Sequence, residues 1–338
     1  MATLKDVSKL AHVSATTVSI IVNGKAEERH ISQKTVDKVN AAVRKLNYQP
    51  SISARALRSS EANKFTIGIY WVSDFRSSFL SRFINGIQAA KMQLTLDMNI
   101  VICPFKPNEL YKETALYQTN AFNAVIIATA SQEDLKYIHK NPTAIPAILN
   151  NRDSQIYHTV KIDNTALGYK AVQHLTERGV KSVGIVALEK EYHAMNSSTK
   201  GFIEACKKAK IQLKAEDIIY TGFSGEDGYQ AAQEFLKHDK LPDAIFCDND
   251  SNAIGLAAYF NRHGIKVPDE IQIIAVGIGN PAYTRLYCPS ITIVNIPLEK
   301  LAEEALMIID AIAQNKIKEP QHLLFDSVLL QRESTKIL

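Results

Sequence analysis

The 338-residue sequence has few cysteines and no long apolar run, and both absences limit what it can be. Its four cysteines, Cys103, Cys206, Cys247 and Cys288, are far apart and form no Cys-x-x-Cys pair, which argues against a disulfide framework or a zinc ribbon. Cys103 and Cys247 stand in apolar runs, where cysteine behaves as a small hydrophobic residue. No stretch approaches the roughly 18 apolar residues of a membrane span, and no apolar signal segment stands at the start. We therefore expect a cytoplasmic protein.

Catalytic and phosphate-binding motifs are also missing. The chain contains no G-x-G-x-x-G fingerprint, no G-x-x-x-x-G-K-[ST] loop and no G-x-S-x-G elbow, so three common signatures of nucleotide and acyl-transfer chemistry are absent. Asp248-Asn249-Asp250 resembles the start of a calcium loop, but the rest of an EF-hand does not follow. We expect no cofactor, no metal ion and no enzyme activity; a sugar-processing enzyme with an accessory DNA-binding head is the competing class.

Charge is unevenly distributed along the chain. Residues 1–64 hold 11 Lys and Arg against 5 Asp and Glu, whereas the remainder holds 28 against 30. A basic head on a nearly neutral body suits a polyanionic partner for the head alone.

The first 50 residues have the pattern of a helix-turn-helix. Ser14 can cap a second helix that starts at Ala15, since its hydroxyl can accept a hydrogen bond from a free N–H of the first turn. Asn23-Gly24 ends that helix, Ser32 caps a third, and Pro50 stops it. The apolar residues at helical spacing are Leu4, Val7, Leu10, Ala11, Val18, Ile21, Val22, Val36, Val39, Val43 and Leu46. The second helix of such a unit enters the major groove of DNA.

These residues resemble the LacI/GalR family of bacterial transcription regulators. The matching pattern is Leu4-x-Asp6-Val7-x-x-x-Ala11-x-Val13-Ser14-x-x-Thr17-Val18-Ser19-x-x-Val22-Asn23, then Leu46-Asn47-Tyr48-x-Pro50 and Ala54-Arg55-Ala56-Leu57. The resemblance covers the whole chain. It implies a DNA-binding domain over residues 1–50, a hinge helix and linker over 51–64, and an effector-binding and dimerisation core over 65–338.

The segment after the head is too short to be a stable isolated helix, because two turns cannot offset the cost of nucleation. The resemblance implies that residues 51–58 form paired hinge helices in the minor groove at the centre of the operator. It places Leu57 where an apolar side chain wedges between base pairs and bends the duplex.

From residue 65 the sequence alternates apolar strand-like runs with amphipathic helices. Such alternation predicts parallel sheets covered by helices on both faces, with one helix expected over Leu110–Phe122. The resemblance implies a periplasmic-binding-protein-like core of two doubly wound subdomains, with a ligand at the carboxyl ends of the strands. The N-subdomain is expected at about 65–162 and 293–325, and the C-subdomain at about 163–292 and 326–338.

The head offers two kinds of DNA contact. Exposed positions of the recognition helix face the bases: Thr16 can form a hydrogen bond with a base edge, whereas Ala15 and Ile20 offer only apolar contact, for example with a thymine methyl group. Candidate phosphate-binding residues, which position the protein without reading sequence, are Thr3, Ser14, Thr17, Asn23, Ser32, Thr35 and Tyr48. Ala54 and Leu57 of the hinge complete the predicted interface.

The cleft between the subdomains is expected to bind a small molecule. Polar and aromatic residues that match the family's cleft are Asp74, Ser77, Ser78, Phe79, Asn151, Arg152, Ser198, Phe223, Asn249, Asp250 and Gly279. At several of them this chain departs from sugar-binding members: Ser198 stands in place of an arginine, Asn151 in place of an aspartate, and Gly279-Asn280 where an aspartate is common. These departures predict a cleft with fewer charges than usual. Tyr192, His193, Asn196 and Arg285 are further candidate contacts.

The resulting prediction is a homodimeric repressor of a carbohydrate-utilisation operon, controlled by a small molecule such as a sugar. A dimer mirrors the symmetry of a pseudo-palindromic operator, and the C-terminal residues show no leucine heptads for a tetramer. The alternative is a regulator of the same family that responds to a purine or to a phosphocarrier protein.

Overall fold

The computed structural model describes residues 4–22, 26–46, 48, 65–74, 76, 79–119, 121–188 and 197–337. The hinge and linker expected over 51–64 lie outside these residues, as do eight candidate site residues: Thr3, Asn23, Ala54, Leu57, Ser77, Ser78, Tyr192 and His193. Asn196 also lies outside them.

Three helices form the head: α1 (Leu4–Ala11), α2 (Ala15–Val22) and α3 (Gln33–Lys45). Both predicted caps are present. The Ser14 hydroxyl accepts a hydrogen bond from the Thr17 backbone N–H at 3.0 Å, and the Ser32 hydroxyl accepts one from the Thr35 N–H at 3.4 Å. The core of the head is small and apolar, and it consists of Val7, Ala11, Val18, Ile21, Val39 and Ala42. The helical spacing of the sequence therefore predicted this unit correctly.

The body is built from strands and helices that alternate along the chain. The strands are β1 (Phe65–Val72), β2 (Met98–Phe105), β3 (Ala124–Ile127), β4 (Ala147–Asn150), β5 (His158–Ile162), β6 (Ser182–Leu188), β7 (Gln212–Thr221), β8 (Ala244–Cys247), β9 (Gln272–Gly277), β10 (Thr292–Asn295), β11 (His322–Phe325) and β12 (Val328–Leu330). The helices are α4 (Leu80–Lys91), α5 (Gln132–Lys140), α6 (Asn164–Glu177), α7 (Ser197–Ala209), α8 (Gly225–Phe235), α9 (Asp250–Arg262), α10 (Pro281–Leu286) and α11 (Leu298–Ala313).

The strands form two six-stranded sheets, which confirms the predicted two-subdomain fold. The N-subdomain sheet has the order β11-β5-β4-β3-β1-β2, and the C-subdomain sheet has the order β12-β10-β9-β8-β6-β7. Among the described residues every strand pairing is parallel except that of β10 with β12. In each sheet the order of the strands reverses at the first strand of the subdomain: β1 lies between β3 and β2, and β6 lies between β8 and β7. Ligands of such sheets bind at this reversal, outside the carboxyl ends of the strands.

Two expectations differ from the structure. Leu110–Phe122 is not one helix but two short 3₁₀ turns, Leu110–Lys112 and Thr114–Tyr117. Its two fully buried leucines, Leu110 and Leu116, are six residues apart, a spacing that does not fall on one face of an α-helix. In addition, β10 pairs with β9 in the C-subdomain, so residues 293–295 belong there, and the chain crosses to the N-subdomain only after Asn295.

Close helix packing stabilises the C-subdomain. Gly255 on α9 lies against α8, and a Cβ atom built on it would be 1.8 Å from the Gly225 carbonyl oxygen. Two helices can approach so closely only where one has no side chain. This contact sets the position of α9, whose first residues follow β8 at the cleft.

Candidate DNA interface and effector cleft

The recognition helix α2 presents the predicted base-reading residues on one face. Thr16 is exposed, Ala15 and Ile20 are partly exposed, and Val18 and Ile21 are turned into the core. This division follows from the helical period, because positions 15, 16 and 20 lie on the opposite side from 18 and 21. This face is not part of the buried core of the head, so it is accessible to a groove of DNA.

Four of the candidate phosphate-binding residues form two matching pairs at helix starts. Ser14 Oγ lies 2.8 Å from Thr17 Oγ1, and Ser32 Oγ lies 2.9 Å from Thr35 Oγ1. Each pair stands at the positive end of a helix, where backbone N–H groups favour an anion. Tyr48 is half-buried, and its backbone N–H donates to the Val43 carbonyl at 3.0 Å. Capping and phosphate contact are compatible, because a hydroxyl that accepts a hydrogen bond from a backbone N–H still has its own O–H, and within each pair one of the two O–H groups can be donated to a phosphate oxygen.

A cavity of about 100 Å³ lies between the two subdomains, at the carboxyl ends of their strands. Polar groups and a mostly apolar wall of both subdomains line it: Trp71, Arg76, Phe79, Ala128, Thr129, Asn150, Asn151, Arg152, Asn164, Leu167, Ser198, Asp248, Val276, Ile278, Ile296, Leu298 and Leu301. Apolar walls with a few placed polar groups are typical of small-molecule sites. Four of the predicted effector residues line this cavity: Phe79, Asn151, Arg152 and Ser198.

An ion pair shapes the N-subdomain side of the cavity. Arg76 donates from Nε to both carboxylate oxygens of Asp74 at 3.0 Å and from Nη2 to Oδ2 at 2.5 Å. Its Nη1 donates to the Thr129 carbonyl oxygen at 3.2 Å, and its own carbonyl accepts from Trp71 Nε1 at 3.1 Å. Predicted Asp74 therefore acts on the cavity through Arg76, because Arg76 lines the wall and Asp74 does not.

Two asparagines hold the loop after β4. Asn151 has a positive φ of 52°, which asparagine tolerates better than most residues. Its side-chain amide donates to Asn164 Oδ1 at 3.1 Å, and the Asn164 amide donates back to Asn151 Oδ1 at 3.1 Å. The reciprocal pair joins the end of β4 to the start of α6, and both residues line the cavity.

Arg152 contributes a second guanidinium. It is partly buried, and it donates from Nε to the Ala130 carbonyl oxygen at 2.5 Å and from Nη1 to the Asn151 carbonyl oxygen at 2.7 Å. Burial, with the neighbouring charge of Arg76, lowers the pKa of Arg152 to about 10, so it remains a cation near neutral pH. Arg152 was among the predicted contacts, and it lines this wall; the expectation of a cleft with fewer charges than usual stays a prediction.

A buried carboxylate stands on the C-subdomain side. Asp248, directly after β8, accepts hydrogen bonds from the Ser198 and Thr199 hydroxyls at 2.6 Å each. Burial raises the pKa of Asp248 above its ordinary range, against the effect of these bonds. The structure places predicted Ser198 at the cavity wall, and Asp248, which was not among the predicted contacts, lies there too.

The next two residues have other partners. Asn249 is fully buried and caps α9, accepting from the Asn252 N–H at 2.8 Å. Asp250 is also buried and accepts from the Gly279 N–H at 3.0 Å. None of Asn249, Asp250 and Gly279 lines the cavity. The turn chemistry of strand ends explains the difference, since Asn and Asp readily bond nearby backbone groups.

Aromatic rings close one side of the cavity. Phe79 lines it and packs against Phe223 with ring centroids 5.2 Å apart in an edge-on arrangement. Phe223 itself supports Phe79 from behind and is not part of the wall. Trp71, near the end of β1, contributes a further aromatic face.

Three residues that line the cavity were not among the predicted contacts, although the sequence carried a signal for them. Asn150 and Asp248 each end a short apolar strand run, which is where ligand-binding side chains stand in parallel sheets. Arg76 lies in the predicted loop after β1 but was not selected. Within the described residues no group of three or more His, Cys, Asp or Glu side chains could hold a metal ion. No described helix is both long and apolar enough to cross a bilayer.

Known proteins match both parts of the chain. The family model described as bacterial regulatory proteins, lacI family, matches residues 3–51, and the periplasmic binding protein-like domain matches residues 172–335. The HTH-type transcriptional repressor PurR of Proteus mirabilis is 30% identical over 342 residues, which cover 99% of this chain and 97% of that protein.

Solved structures agree with these matches. A LacI family transcription regulator from Clostridium acetobutylicum is 36% identical, with a TM-score of 0.77 over 80% of this chain and 100% of that one. A lac repressor dimer, bound to operator and the anti-inducer ONPF, is 22% identical, with a TM-score of 0.69 over 99% of both chains. At 22% identity, the similarity to the lac repressor dimer shows a shared fold.

A helix-turn-helix head joined to a two-lobed core with a ligand-sized cleft defines a DNA-binding transcriptional repressor. The chain belongs to the LacI family.

Proposed function

We propose that this repressor controls a carbohydrate-utilisation operon as a homodimer and that a sugar bound in the cleft sets its affinity for DNA. The observation that carries the proposal is the cavity itself. It combines aromatic faces from Trp71 and Phe79 with hydrogen-bonding groups from Asn151, Asn164 and Asp248. A sugar needs both, because its C–H face packs on rings while each desolvated hydroxyl requires a partner.

The coupling to DNA follows from the position of the cavity. Its walls belong to both subdomains, so a bound ligand that contacts both favours one angle between them. A ligand shifts such an equilibrium only by its differential affinity for the two states. We infer that the angle is transmitted to the hinge helices predicted over 51–58, with Leu57 as the wedge in the minor groove. Phosphocarrier control stays a prediction without support from the cleft.

A purine effector is the second candidate. It is favoured by the name of the curated relatives, transcriptional repressors PurR, which match this chain over nearly its whole length. Planar bases could stack on the same aromatic side chains. The two candidates can be distinguished by which class of ligand, sugar or purine, changes the affinity for operator DNA.

The test uses the full chain and an operator selected from random duplex DNA by the protein itself. Fluorescence anisotropy then measures the affinity of the protein for this operator in the presence of hexoses, pentoses or purine bases. We expect a sugar to change affinity between 5- and 150-fold, the usual range of allosteric coupling. A response to purine bases alone would establish the second candidate, and the absence of any selected pseudo-palindrome would contradict the dimeric repressor.

A pair of variants links the response to the cleft. Asp248→Asn removes the buried carboxylate from the wall and is expected to weaken the sugar response while leaving operator affinity without sugar unchanged. Asp239→Asn makes the same chemical change at an exposed position of the C-subdomain and should leave both unchanged. An equal effect of the two variants would place the sugar elsewhere.

A further inference from the structure

The two guanidinium groups in the cavity wall differ in their partners. Arg76 is neutralised by Asp74, which accepts hydrogen bonds from two of its nitrogen atoms. Arg152 has no such partner: among the described residues no carboxylate oxygen lies within 4.0 Å of its guanidinium. The wall therefore carries a cation whose charge is not compensated at contact distance.

The hydrogen-bonding capacity of Arg152 is also incompletely used. A guanidinium has five N–H donors, and the two bonds of Arg152 go to the carbonyl oxygens of Ala130 and Asn151. These bonds fix the plane of the group. The remaining N–H groups have no acceptor among the described residues and belong to a side chain that lines the cavity.

The nearest acidic side chains are committed elsewhere. The charges that act on Arg152 are those of Arg76, Asp134 and Asp153. The Asp134 carboxylate accepts from Ser131 and from the Leu110 N–H, and Asp153 pairs with Lys161. Asp248 is not among the groups that act on Arg152.

An unpaired acceptor stands in the same wall. Asn150 is 3% exposed, its amide nitrogen donates to the Ala128 carbonyl oxygen at 3.3 Å, and its Oδ1 has no hydrogen-bond partner. A buried acceptor without a partner is costly, so this atom is suited to a donor on a ligand. Asn150 lines the cavity beside Arg152.

The size of the cavity restricts the ligand. Its volume of about 100 Å³ is below the roughly 300–1,000 Å³ of pockets for drug-sized molecules. In this arrangement of the subdomains the cavity therefore suits a small ligand rather than a drug-sized one.

We propose that the effector is a small polyhydroxy acid whose carboxylate pairs with Arg152 and whose hydroxyl donates to Asn150 Oδ1. This inference rests on the proposed function of the cleft as the sugar-effector site and names the chemical class of the effector. Arginine matches a carboxylate because its planar fork can donate two parallel bonds. A neutral ligand of the same size would exclude water from Arg152 without supplying a counter-charge, which is unfavourable.

The test is isothermal titration calorimetry, which measures the affinity of the full chain for each probe at pH 7 and constant ionic strength. The probes are D-gluconate, D-galactonate, D-glucuronate and D-galacturonate, with D-glucose and D-galactose as neutral counterparts. We expect at least one acid to bind about 30-fold more tightly than its neutral counterpart, since about 2 kcal/mol is the lower end for a buried charge pair and each 1.4 kcal/mol is tenfold.

Variants separate a ligand contact from a structural role. Arg152→Gln should lose about 30-fold in affinity for the acid and should not weaken binding of the neutral sugar, whereas Arg152→Lys should retain part of the acid preference. Lys136→Gln is the matched control, because it removes one positive charge from an exposed site of the same subdomain. It should not change the preference.

Three results would overturn the proposal: no acid of the panel binds, a neutral sugar binds as tightly as its acid, or Arg152→Gln weakens both equally. If a neutral sugar binds and changes operator affinity, the carbohydrate function stands and only the acid is wrong. If neither acids nor neutral sugars bind or affect operator affinity, both proposals fail.

Discussion

Arg82 on α4 connects the two subdomains through one buried guanidinium group, and its removal should weaken the whole core. The side chain is 4% exposed. It donates to the carbonyl oxygens of Ile278, Gly279 and Ile296 at 2.9, 3.0 and 3.0 Å, and to the two carboxylate oxygens of Glu299 at 2.7 and 2.6 Å. Since Asp250 accepts from the Gly279 N–H, this network includes two residues that the sequence analysis had assigned to the effector.

The informative change is Arg82→Met, which keeps the aliphatic stem and removes every donor. Breaking a buried pair from one side costs about 3–5 kcal/mol, and here three carbonyl oxygens also lose a donor. Glu299 is 42% exposed and can be rehydrated, so we expect the lower part of that range. Urea denaturation of the full chain should show the loss as a lower midpoint of the core transition.

Lys136→Met is the control for Arg82→Met. Lys136 and Glu133 form an exposed pair on α5, and removing such a pair changes stability by less than about 1 kcal/mol. A loss of less than about 1 kcal/mol for Arg82→Met would refute the reasoning. Such a result would mean that the attraction between Arg82 and its partners only offsets the free-energy cost of removing the guanidinium group from water.

The same network predicts a pH effect. Burial opposes ionisation of Glu299, but the hydrogen bonds from Arg82, a backbone hydrogen bond and the charge of Arg82 together outweigh it and hold the pKa of Glu299 below its ordinary value. A depressed carboxyl pKa adds stability above the unfolded-state value, and that stability is lost as pH falls through the folded-state pKa. In the Arg82→Met variant this part of the acid sensitivity should disappear.

Three further changes test other parts of the molecule. Gly255→Ala should destabilise by about 1–3 kcal/mol through overpacking, whereas Gly225→Ala, whose Cβ meets only an oxygen at 3.6 Å, should be neutral or stabilising in thermal unfolding. His174→Gln should flatten the pH dependence of stability between pH 6.5 and 4. Burial, with the nearby Arg178, lowers the pKa of His174 from 6.5 to about 4, so the unfolded state takes up a proton in that window and the native state loses up to about 3 kcal/mol. Leu57→Ser should weaken operator binding and leave effector binding intact; unchanged operator affinity would remove the wedge hypothesis.

The head was predictable from the sequence because its structure depends on local signals. Ser14 and Ser32 cap helices by bonding residues three positions later, and Val7, Val18 and Val39 form its core through helical spacing alone. The two sheets were predictable as a class, since buried parallel strands are continuous apolar runs. The prediction of a helix over Leu110–Phe122 was wrong, because the composition of this segment favours a helix but its buried residues do not repeat with the helical period.

The cleft was predictable in location but not in detail. Ligand groups follow strand ends in this fold, and the match to the family's cleft indicated Phe79, Asn151, Arg152 and Ser198, which all line the cavity. Which of three consecutive residues faces the cavity depends on backbone geometry. Asp248 does, whereas Asn249 caps a helix and Asp250 turns to the Gly279 N–H.

By itself the sequence determined the helix-turn-helix, the alternation of strands and helices, and the family to which the chain belongs, because periodicity, capping and motif spacing are properties of neighbouring residues. The tertiary structure alone decided that β10 pairs in the second sheet, that Arg82 bridges residues 196 to 217 positions away, and that Arg152 reaches the cavity without a carboxylate partner. These are contacts between distant segments, and their geometry is set only when both subdomains have packed.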